Sequence, residues 1–250
     1  MLTSFKSPVR AVVVGAGGGL GRAFVEALAA DAAVGRVDAF ARTPDGAAYA
    51  GAYDNVRLHR LDLDDDASLE RMAEVLGEGP PLDLVIVATG LLHEPGAMAP
   101  EKTWRQLERA SMERSFAINA IGPALVAKRL LPLLRRDRKA AFAALSARVG
   151  SIEDNQLGGW YAYRASKAAL NQLLRTAAIE LGRRAPEAVC IGLHPGTVDT
   201  GLSAPFQSGV AEGKLFTPAY AASRLLEVID ARGPEDSGGL FAWDGARLPF

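Results

Sequence analysis

The segment VRAVVVGAGGGLG, residues 9–21, decides the fold of this 250-residue chain. Its first part, 9–14, is a short β-branched run with no polar face, which predicts a strand buried on both sides. Five glycines follow within seven residues, and a helical pattern begins at Leu20. A buried strand, a glycine-rich turn and a helix in this order predict the first unit of a parallel α/β sheet.

The glycine turn is the first candidate binding site, with the spacing G-x-x-x-G-x-G. Free backbone N–H groups and the positive end of the helix dipole favour a pyrophosphate, and missing side chains let the phosphates approach. We therefore predict that Gly15, Gly17, Gly19, Leu20 and Gly21 bind a dinucleotide. The alternative is a flexible turn without function, which the flanking strand and helix disfavour.

Strand and helix patterns alternate along the rest of the chain, which predicts a doubly wound parallel sheet of about seven strands with helices on both faces. We predict a single domain, residues 1–250, with a substrate lid around 202–216. Further strands are predicted at 36–41, 56–61, 82–88, 140–145, 188–193 and 239–242, and helices at 20–30, 64–76, 103–134, 161–183 and 218–231.

Composition excludes several classes of function. The formal net charge of −1 gives no general attraction to nucleic acid or anionic lipid. The sequence contains no run of about 18 apolar residues, so it predicts no membrane span. Cys190 is the only cysteine and the three histidines show no ligand spacing, so no metal site is predicted. We expect a cytoplasmic protein without nucleic-acid or membrane partners.

Two residues at predicted strand ends bear on the choice of dinucleotide. Arg42 follows the second strand, where an acidic residue would bind both ribose hydroxyls, and an arginine can pair with a 2′-phosphate. This favours NADP(H), with NAD(H) still open and a plain surface charge as the alternative. Asp62 follows the third strand, where its carboxylate could accept from an adenine amino group or cap the next helix.

Tyr163 and Lys167 form the candidate reactive pair. They lie four residues apart on a predicted helix and so share one face. A phenol with a pKa near 10 is a poor proton carrier at neutral pH, and a nearby ammonium is expected to lower that pKa. The Tyr-x-x-x-Lys spacing alone is weak, but it opens the helix after the fifth predicted strand of a chain that has the glycine turn.

Asn119 lies four residues before Pro123 in the long predicted helix. Proline has no N–H, so the Asn119 carbonyl loses its helical donor and could bind a water that relays protons. The alternative is that Gly122 and Pro123 only bend the helix.

Together these residues resemble the short-chain dehydrogenase/reductase family over nearly the whole chain. The resemblance rests on the glycine turn, Asp62, Asn119, the helix text YAYRASKAAL from Tyr161, and Pro195-Gly196 with Thr197 and Thr200. Residues 150–152 and 243–245 resemble its C-factor-like and sniffer-like branch.

The resemblance implies an NAD(P)(H)-dependent oxidoreductase that reduces carbonyls or oxidises alcohols, with a small-molecule substrate. It implies that Tyr163 is the general acid/base, that Lys167 tunes it and binds ribose, and that Asn119 supports a proton relay. Family members commonly form dimers or tetramers through the two long helices, so we expect a homodimer or homotetramer. Further cofactor-binding residues implied are Gly90, Pro195, Gly196, Thr197, Val198 and Thr200.

The sequence departs from the family pattern at the expected active-site serine. Three residues before Gly150 stands Ala147, whereas Ser146 comes one residue earlier and Ser151 follows the glycine. Either Ser146 reaches in, or Ser151 substitutes, or the oxyanion is held less well. Ser146 is kept as a catalytic candidate.

Two further departures lie in the turns that follow strands. Val87-Ala88-Thr89-Gly90 replaces the Asn-Asn-Ala-Gly after strand four, and Val14 replaces a threonine. These changes keep a second hypothesis open: a cofactor-binding signalling or regulatory protein with weak or no catalysis. An α/β hydrolase is disfavoured because no G-x-S-x-G elbow exists. The loops 93–98, 151–159 and 202–214 predict a partly apolar substrate pocket.

Overall fold

A computed structural model describes residues 1–44 and 51–250. The strands are β1 Val9–Val14, β2 Val34–Ala41, β3 Val56–Arg60, β4 Leu84–Val87, β5 Ala140–Leu145, β6 Ala188–His194, β7 Thr197–Val198, β8 Leu215–Phe216, β9 Leu240–Ala242 and β10 Arg247–Leu248. The helices are α1 Gly19–Ala29, α2 Asp66–Gly77, α3 Arg109–Phe116, α4 Gly122–Leu130, α5 Tyr161–Gly182 and α6 Pro218–Ala231.

Eight of the strands form one sheet in the order β10-β9-β6-β5-β4-β1-β2-β3. All neighbours are parallel except β9 and β10, which pair antiparallel. The predicted doubly wound parallel sheet is confirmed, with eight strands instead of about seven. The order reverses beside β1, and ligands of such sheets bind in the crevice at this switch point. The glycine turn therefore opens onto the expected crevice.

The side chains of β1 show why the strands are apolar throughout. Ala11 and Val13 pack into a core with α1 and α6, whereas Val12 and Val14 pack into a second core with α2, α4 and α5. Both faces are covered by helices, so neither set of side chains reaches water. This burial holds the carboxyl ends of β1, β4, β5 and β6 side by side as a rigid base for the site.

The helix predicted at 103–134 is shorter and interrupted. It begins at Arg109, passes through a π-helical turn at Ala117–Ile121, and continues as α4 from Gly122. Pro123 cannot donate to the carbonyl four residues earlier, and a π turn accommodates that missing donor by widening the helix. Asn119 lies inside this turn and is fully buried.

The same helical run, Arg109–Leu133, is long and apolar enough by length and composition to cross a membrane. No other segment within 1–44 and 51–250 passes that test. The run packs against α2 and α5. One such run is weak evidence for a membrane span.

Candidate active site

The glycine turn between β1 and α1 is shaped by steric contacts that only glycine allows. A Cβ on Gly21 would lie 2.1 Å from the Gly15 carbonyl oxygen, and one on Gly15 would lie 2.9 Å from Thr89. Gly15 also has φ +90°. Gly19 backs onto Thr200, 2.8 Å from the position of a Cβ. The three glycines of the predicted spacing are therefore needed to close the turn against its neighbours.

Gly17 and Gly18 are less crowded, because a Cβ on either would meet its nearest neighbour at an ordinary contact distance of 3.5 Å. Gly18 is the N-cap of α1, makes no side-chain cap, and no acidic residue lies in the first turn. The helix N-terminus is thus free to bind an anion. Thr89 Oγ1 lines the same crevice, buried and without a partner. These features fit the pyrophosphate and ribose of a dinucleotide.

A cavity of about 360 Å³ extends from the turn toward β2 and β3. Its lining includes Phe40, Arg42 and Asp62. Arg42 is exposed and pairs with no described residue. Asp62 Oδ1 accepts from the Asp64 N–H at 3.1 Å, whereas Asp65 caps α2 through Ala67. The helix-capping alternative for Asp62 is therefore wrong, because Asp65 performs that function.

A cleft of about 600 Å³ lies on the other side of the turn, between the carboxyl ends of β4, β5 and β6. The segment after β6 forms one wall. Gly196 has φ +76°, and a Cβ there would lie 2.7 Å from Phe216. Gly90 stands opposite, where a Cβ would meet Leu202 at 3.4 Å. Pro195, Gly196, Thr197, Val198 and Thr200 all line this cleft, with Leu20 and Gly19 from the turn.

Tyr163 and Lys167 meet at the floor of this cleft. Both line it, and the Lys167 Nζ lies 5.8 Å from the centre of the Tyr163 ring. Lys167 is 2% exposed and donates to the Leu145 carbonyl at 2.8 Å. The helix spacing thus brings the two predicted reactive groups together at the ends of the strands.

The pKa shifts of this pair have a single physical cause, which is burial. Burial disfavours both charged forms: it lowers the pKa of Lys167 to about 7 and raises the pKa of Tyr163 to about 12. The expectation that the ammonium lowers the tyrosine pKa is therefore wrong for this structure. A protonated phenol at neutral pH suits a proton donor.

Asn119 uses its whole side chain to tie the π turn to its neighbours. Its Oδ1 accepts from the Leu91 N–H, and its Nδ2 donates to the Leu91 carbonyl, both at 2.8 Å. Nδ2 also lies within hydrogen-bond distance of Ser115 and Ser166, the latter on the Tyr163 helix. Asn119 thus joins the segment after β4 to α5, directly behind the reactive pair.

Both serines near the expected position use their hydroxyls in hydrogen bonds within the protein. Ser146 is 4% exposed and donates to Asn171 Oδ1 at 2.6 Å. Ser151 is buried, and its Oγ accepts from the Asp154 N–H at 3.0 Å. Ser146 and Ala147 both line the cleft. The structure thus places a methyl group at the position where the family pattern has a hydroxyl.

Residues 202–216, the predicted lid, contribute Leu202, Ser203, Phe206 and Val210 to the lining of the cleft. The lid contains a 3₁₀ turn at Ala204–Gly209 and ends in β8. Strand β8 pairs with β7 in a separate parallel ribbon, so the lid starts and ends on the same small sheet. Sequence patterns miss this ribbon because two-residue strands carry no periodicity.

Two features at the entrance to α5 were not predicted. Trp160, next to the predicted pocket loop 151–159, has φ +51° and ψ +43°, a left-handed conformation uncommon for any residue but glycine, and its ring lines the cleft. Glu101 is 3% exposed and accepts the Trp160 N–H through its carbonyl. No sequence signal identifies this conformation or this contact, because both depend on contacts between distant segments. Within 1–44 and 51–250, no group of three or more potential metal ligands occurs.

Comparison with known proteins agrees with this arrangement. The short chain dehydrogenase profile matches residues 10–211. C-signal of Myxococcus xanthus is 39% identical over 145 residues, 58% of this chain and 81% of that protein. The 1-hydroxy-2-glutathionyl-2-methyl-3-butene dehydrogenase of Rhodococcus sp. (strain AD45) is 34% identical over 193 residues, 76% of this chain and 78% of that one.

Solved structures agree in fold over the full length. The NADPH-bound carbonyl reductase from chicken fatty liver superposes with a TM-score of 0.86 and 27% identity, covering 99% of this chain and 97% of its own. The carbonyl reductase Sniffer of D. melanogaster superposes with a TM-score of 0.84, covering 98% and 100%, and at 22% identity shows the fold alone. With its glycine turn, Tyr/Lys pair and matching profile, this chain belongs to the short chain dehydrogenase family.

Proposed function

We propose that this protein is an NADP(H)-dependent oxidoreductase that interconverts a small carbonyl compound and its alcohol. The observation that carries the proposal is the position of Tyr163, which lies in a cleft between the glycine turn and the lid with Lys167 beside it. A proton donor, a cofactor-sized crevice and a covered substrate space then meet at one point.

The residues divide the work as follows. The glycine turn and the α1 N-terminus bind the pyrophosphate, and the segment 195–200 lies against the nicotinamide. When bound, the reduced nicotinamide supplies a hydride to the carbonyl carbon. The Tyr163 hydroxyl donates its proton to the carbonyl oxygen, and the buried Lys167 holds the ribose and returns a proton toward Tyr163. Asn119 keeps the helix of this pair in register with the loop after β4.

The preference for NADP(H) is supported by Arg42. Its guanidinium lies at the rim of the cavity of about 360 Å³ beside β2 and β3, which we call the adenosine cavity. The guanidinium is exposed and unpaired among described residues, so it is free to bind a 2′-phosphate. Asp62 lines the same cavity and is placed to accept from the adenine amino group. The chicken relative is a carbonyl reductase with NADPH bound, which agrees with this choice.

A cofactor-binding signalling protein is the second candidate, and Ala147 is the observation that favours it. Without the family's hydroxyl, the developing oxyanion has Tyr163 as its donor, and losing one donor of this kind costs about 10²–10³ in kcat. One relative carries the name C-signal.

We further propose that the protein is cytoplasmic and forms a homodimer or homotetramer. The oligomer is supported by the exposed apolar side chains Ile121, Leu173 and Ile179 beside α4 and on α5.

The test combines binding and turnover in one preparation. NADPH and NADH are titrated by fluorescence, and turnover is measured on a panel of aldehydes and ketones with wild type and Tyr163→Phe. We expect tight NADPH binding in both proteins and a loss of about 10²–10⁴-fold in turnover in the variant. Equal turnover in the two proteins would refute the role of Tyr163, and absence of nucleotide binding would refute the whole proposal.

A further inference from the structure

Trp160 occupies a backbone conformation that needs an explanation. It follows Gly158 and Gly159, so three consecutive residues have φ between +51° and +67°. Glycine adopts this region freely, whereas a bulky side chain there costs roughly 1–2 kcal/mol in backbone strain. Strained residues of this kind concentrate at ligand-binding and active sites. We therefore infer that the position of the Trp160 ring serves a function that offsets the cost of the backbone strain.

Two groups hold the strained turn in place. On one side, Glu101 accepts the Trp160 N–H through its carbonyl at 2.5 Å and the Ala162 N–H through Oε2 at 3.2 Å. On the other side, Arg164, in the first turn of α5, donates to the carbonyls of Gly158 and Gly159 at 3.2 and 3.0 Å. The turn, and with it the Trp160 ring, is thus held between Glu101 and the Arg164 guanidinium.

The Trp160 ring lines the proposed substrate side of the cleft. It lies edge-on to Tyr163 at 6.2 Å between centroids, and edge-on to Phe206 of the lid at 5.3 Å. His93 continues the series, 5.7 Å from Phe206. These rings line the wall beside the proposed proton donor. A further aromatic ring gains from offset-stacked or edge-to-face contacts with such rings.

The same part of the cleft is lined by very few charged side chains. Among the described residues that line the cleft, Lys167 is the sole lysine, arginine or carboxylate, and it is already bonded to Leu145. His194 also lines the cleft, and burial lowers the pKa of its ring to about 4, so it is neutral at pH 7. Ala147 adds a methyl group. An anionic substrate would lose its hydration here without gaining a partner.

We propose that Trp160, Phe206 and His93 form an aromatic slot that selects flat, uncharged aryl ketones or aldehydes, with Trp160 as the specificity-determining residue. This inference rests on the proposed reductase function. It adds the chemical class of the substrate: an aromatic ring beside the carbonyl, and no carboxylate or phosphate next to it. Glu101 is then a positioning residue, because it acts on the slot through Trp160.

The experiment uses three ketones that differ in one property each. Methyl phenylglyoxylate is neutral and aromatic, phenylglyoxylate is the corresponding free carboxylate, and methyl pyruvate is the aliphatic counterpart of the ester. We expect kcat/KM for methyl phenylglyoxylate to exceed that for the anion by about 100-fold or more because of the cost of burying an unpaired charge. It should exceed that for methyl pyruvate by about tenfold because of the ring contacts.

Trp160→Gly removes the ring while keeping a residue that adopts this backbone without strain. The aromatic-to-aliphatic ratio should fall about tenfold, with the Kd of NADPH unchanged. Trp104→Gly is the matched control, since this tryptophan is 68% exposed and does not line the cleft. It should leave both ratios unchanged. Glu101→Ala should reduce the aromatic preference, and Glu101→Gln, which keeps the hydrogen-bond acceptor, should restore most of it.

Binding of the alcohols separates this proposal from the reductase function. Calorimetry on the NADPH complex compares methyl mandelate with mandelate in wild type and Trp160→Gly. Selective binding of methyl mandelate that depends on Trp160, without turnover of any ketone, would support the slot and refute the reductase. Turnover with equal ratios in wild type and Trp160→Gly, or a preference for the anion, would refute the slot and leave the reductase standing.

Discussion

The two halves of the cleft are built in different ways. The cofactor half, formed by the glycine turn and the ends of β2 and β3, is mainly backbone: free N–H groups, close-packed glycines and a helix N-terminus. The proposed substrate half, formed by Trp160, Phe206, His93 and the predicted lid, consists of side chains from segments far apart in the chain. Backbone recognition suits a constant ligand, whereas side chains can be exchanged to suit a variable one.

Gly21→Ala should break the cofactor half most severely. The new Cβ would need the space of the Gly15 carbonyl, 2.1 Å away, so the turn has to open. Strain of this kind costs about 1–3 kcal/mol of stability, and NADPH affinity should fall with it. Gly77→Ala is the matched control, because a Cβ at this position in α2 would meet nothing within 4 Å. Thermal unfolding and fluorescence titration of both variants measure the difference, and equal behaviour would contradict the steric argument.

Arg42→Ser should alter which cofactor is bound without altering the turn. A hydrogen-bonded charge pair is worth roughly 1.5–3 kcal/mol, so NADPH affinity should fall about 10- to 100-fold while NADH affinity stays constant. Arg60→Ser is the control, since Arg60 is also exposed near a strand end but does not line the adenosine cavity. A parallel loss for both nucleotides would show that Arg42 does not contact the 2′-phosphate.

Ala147→Ser tests whether an added hydroxyl in the substrate half improves catalysis. It places a hydroxyl where the cleft has a methyl group, and a donor to the developing oxyanion should raise kcat by about tenfold if it reaches half its usual effect. The Kd of NADPH should not change, because Ala147 lies outside the adenosine cavity. Steady-state kinetics and nucleotide titration test both statements. An unchanged kcat would mean that Tyr163 alone suffices for this oxyanion.

Lys167→Met should change stability by an amount that depends on pH. Burial lowers the pKa of Lys167 from 10.5 to about 7, so between these values the unfolded chain holds a proton that the folded chain lacks. Wild-type stability therefore gains from this group as pH rises above 7, and below 7 the buried ammonium is fully destabilising. The Tm of the methionine variant relative to wild type should be highest near pH 6 and decline toward pH 9.5.

The control for that measurement is Lys128→Met on α4, whose side chain is exposed. Its Tm difference from wild type should show no comparable decline between pH 6 and 9.5. A Lys167 variant that tracks this control would mean that Lys167 keeps its proton in the folded protein. Differential scanning fluorimetry without cofactor measures both.

The features that the sequence predicted are those set by adjacent residues, and the features it missed depend on distant contacts. The alternation of apolar strands and helices predicted the sheet because each signal lies within a few adjacent residues. The helix at 103–134 was placed six residues too early, and Pro123 indicated a bend without indicating a π turn. Strand β10 was missed because two residues form no pattern.

The site was predicted where function follows from local spacing. Tyr163 and Lys167 meet because four residues make about one helical turn, whatever the tertiary fold. The pKa direction of Tyr163 was wrong because burial is a tertiary property, and Glu101 was missed because its contacts span about 60 residues of chain. The hydroxyl direction of Ser146 likewise depends on Asn171, on another element.

The small ribbon of β7 and β8 has a consequence for how such proteins diversify. Because Thr197 and Val198 are paired with Leu215 and Phe216, the chain enters and leaves the lid at neighbouring points. An insertion between those points adds only a slowly growing entropic cost, and it displaces nothing in the sheet. We therefore expect that the length and sequence of the lid can change without disturbing Tyr163, Lys167 or the glycine turn.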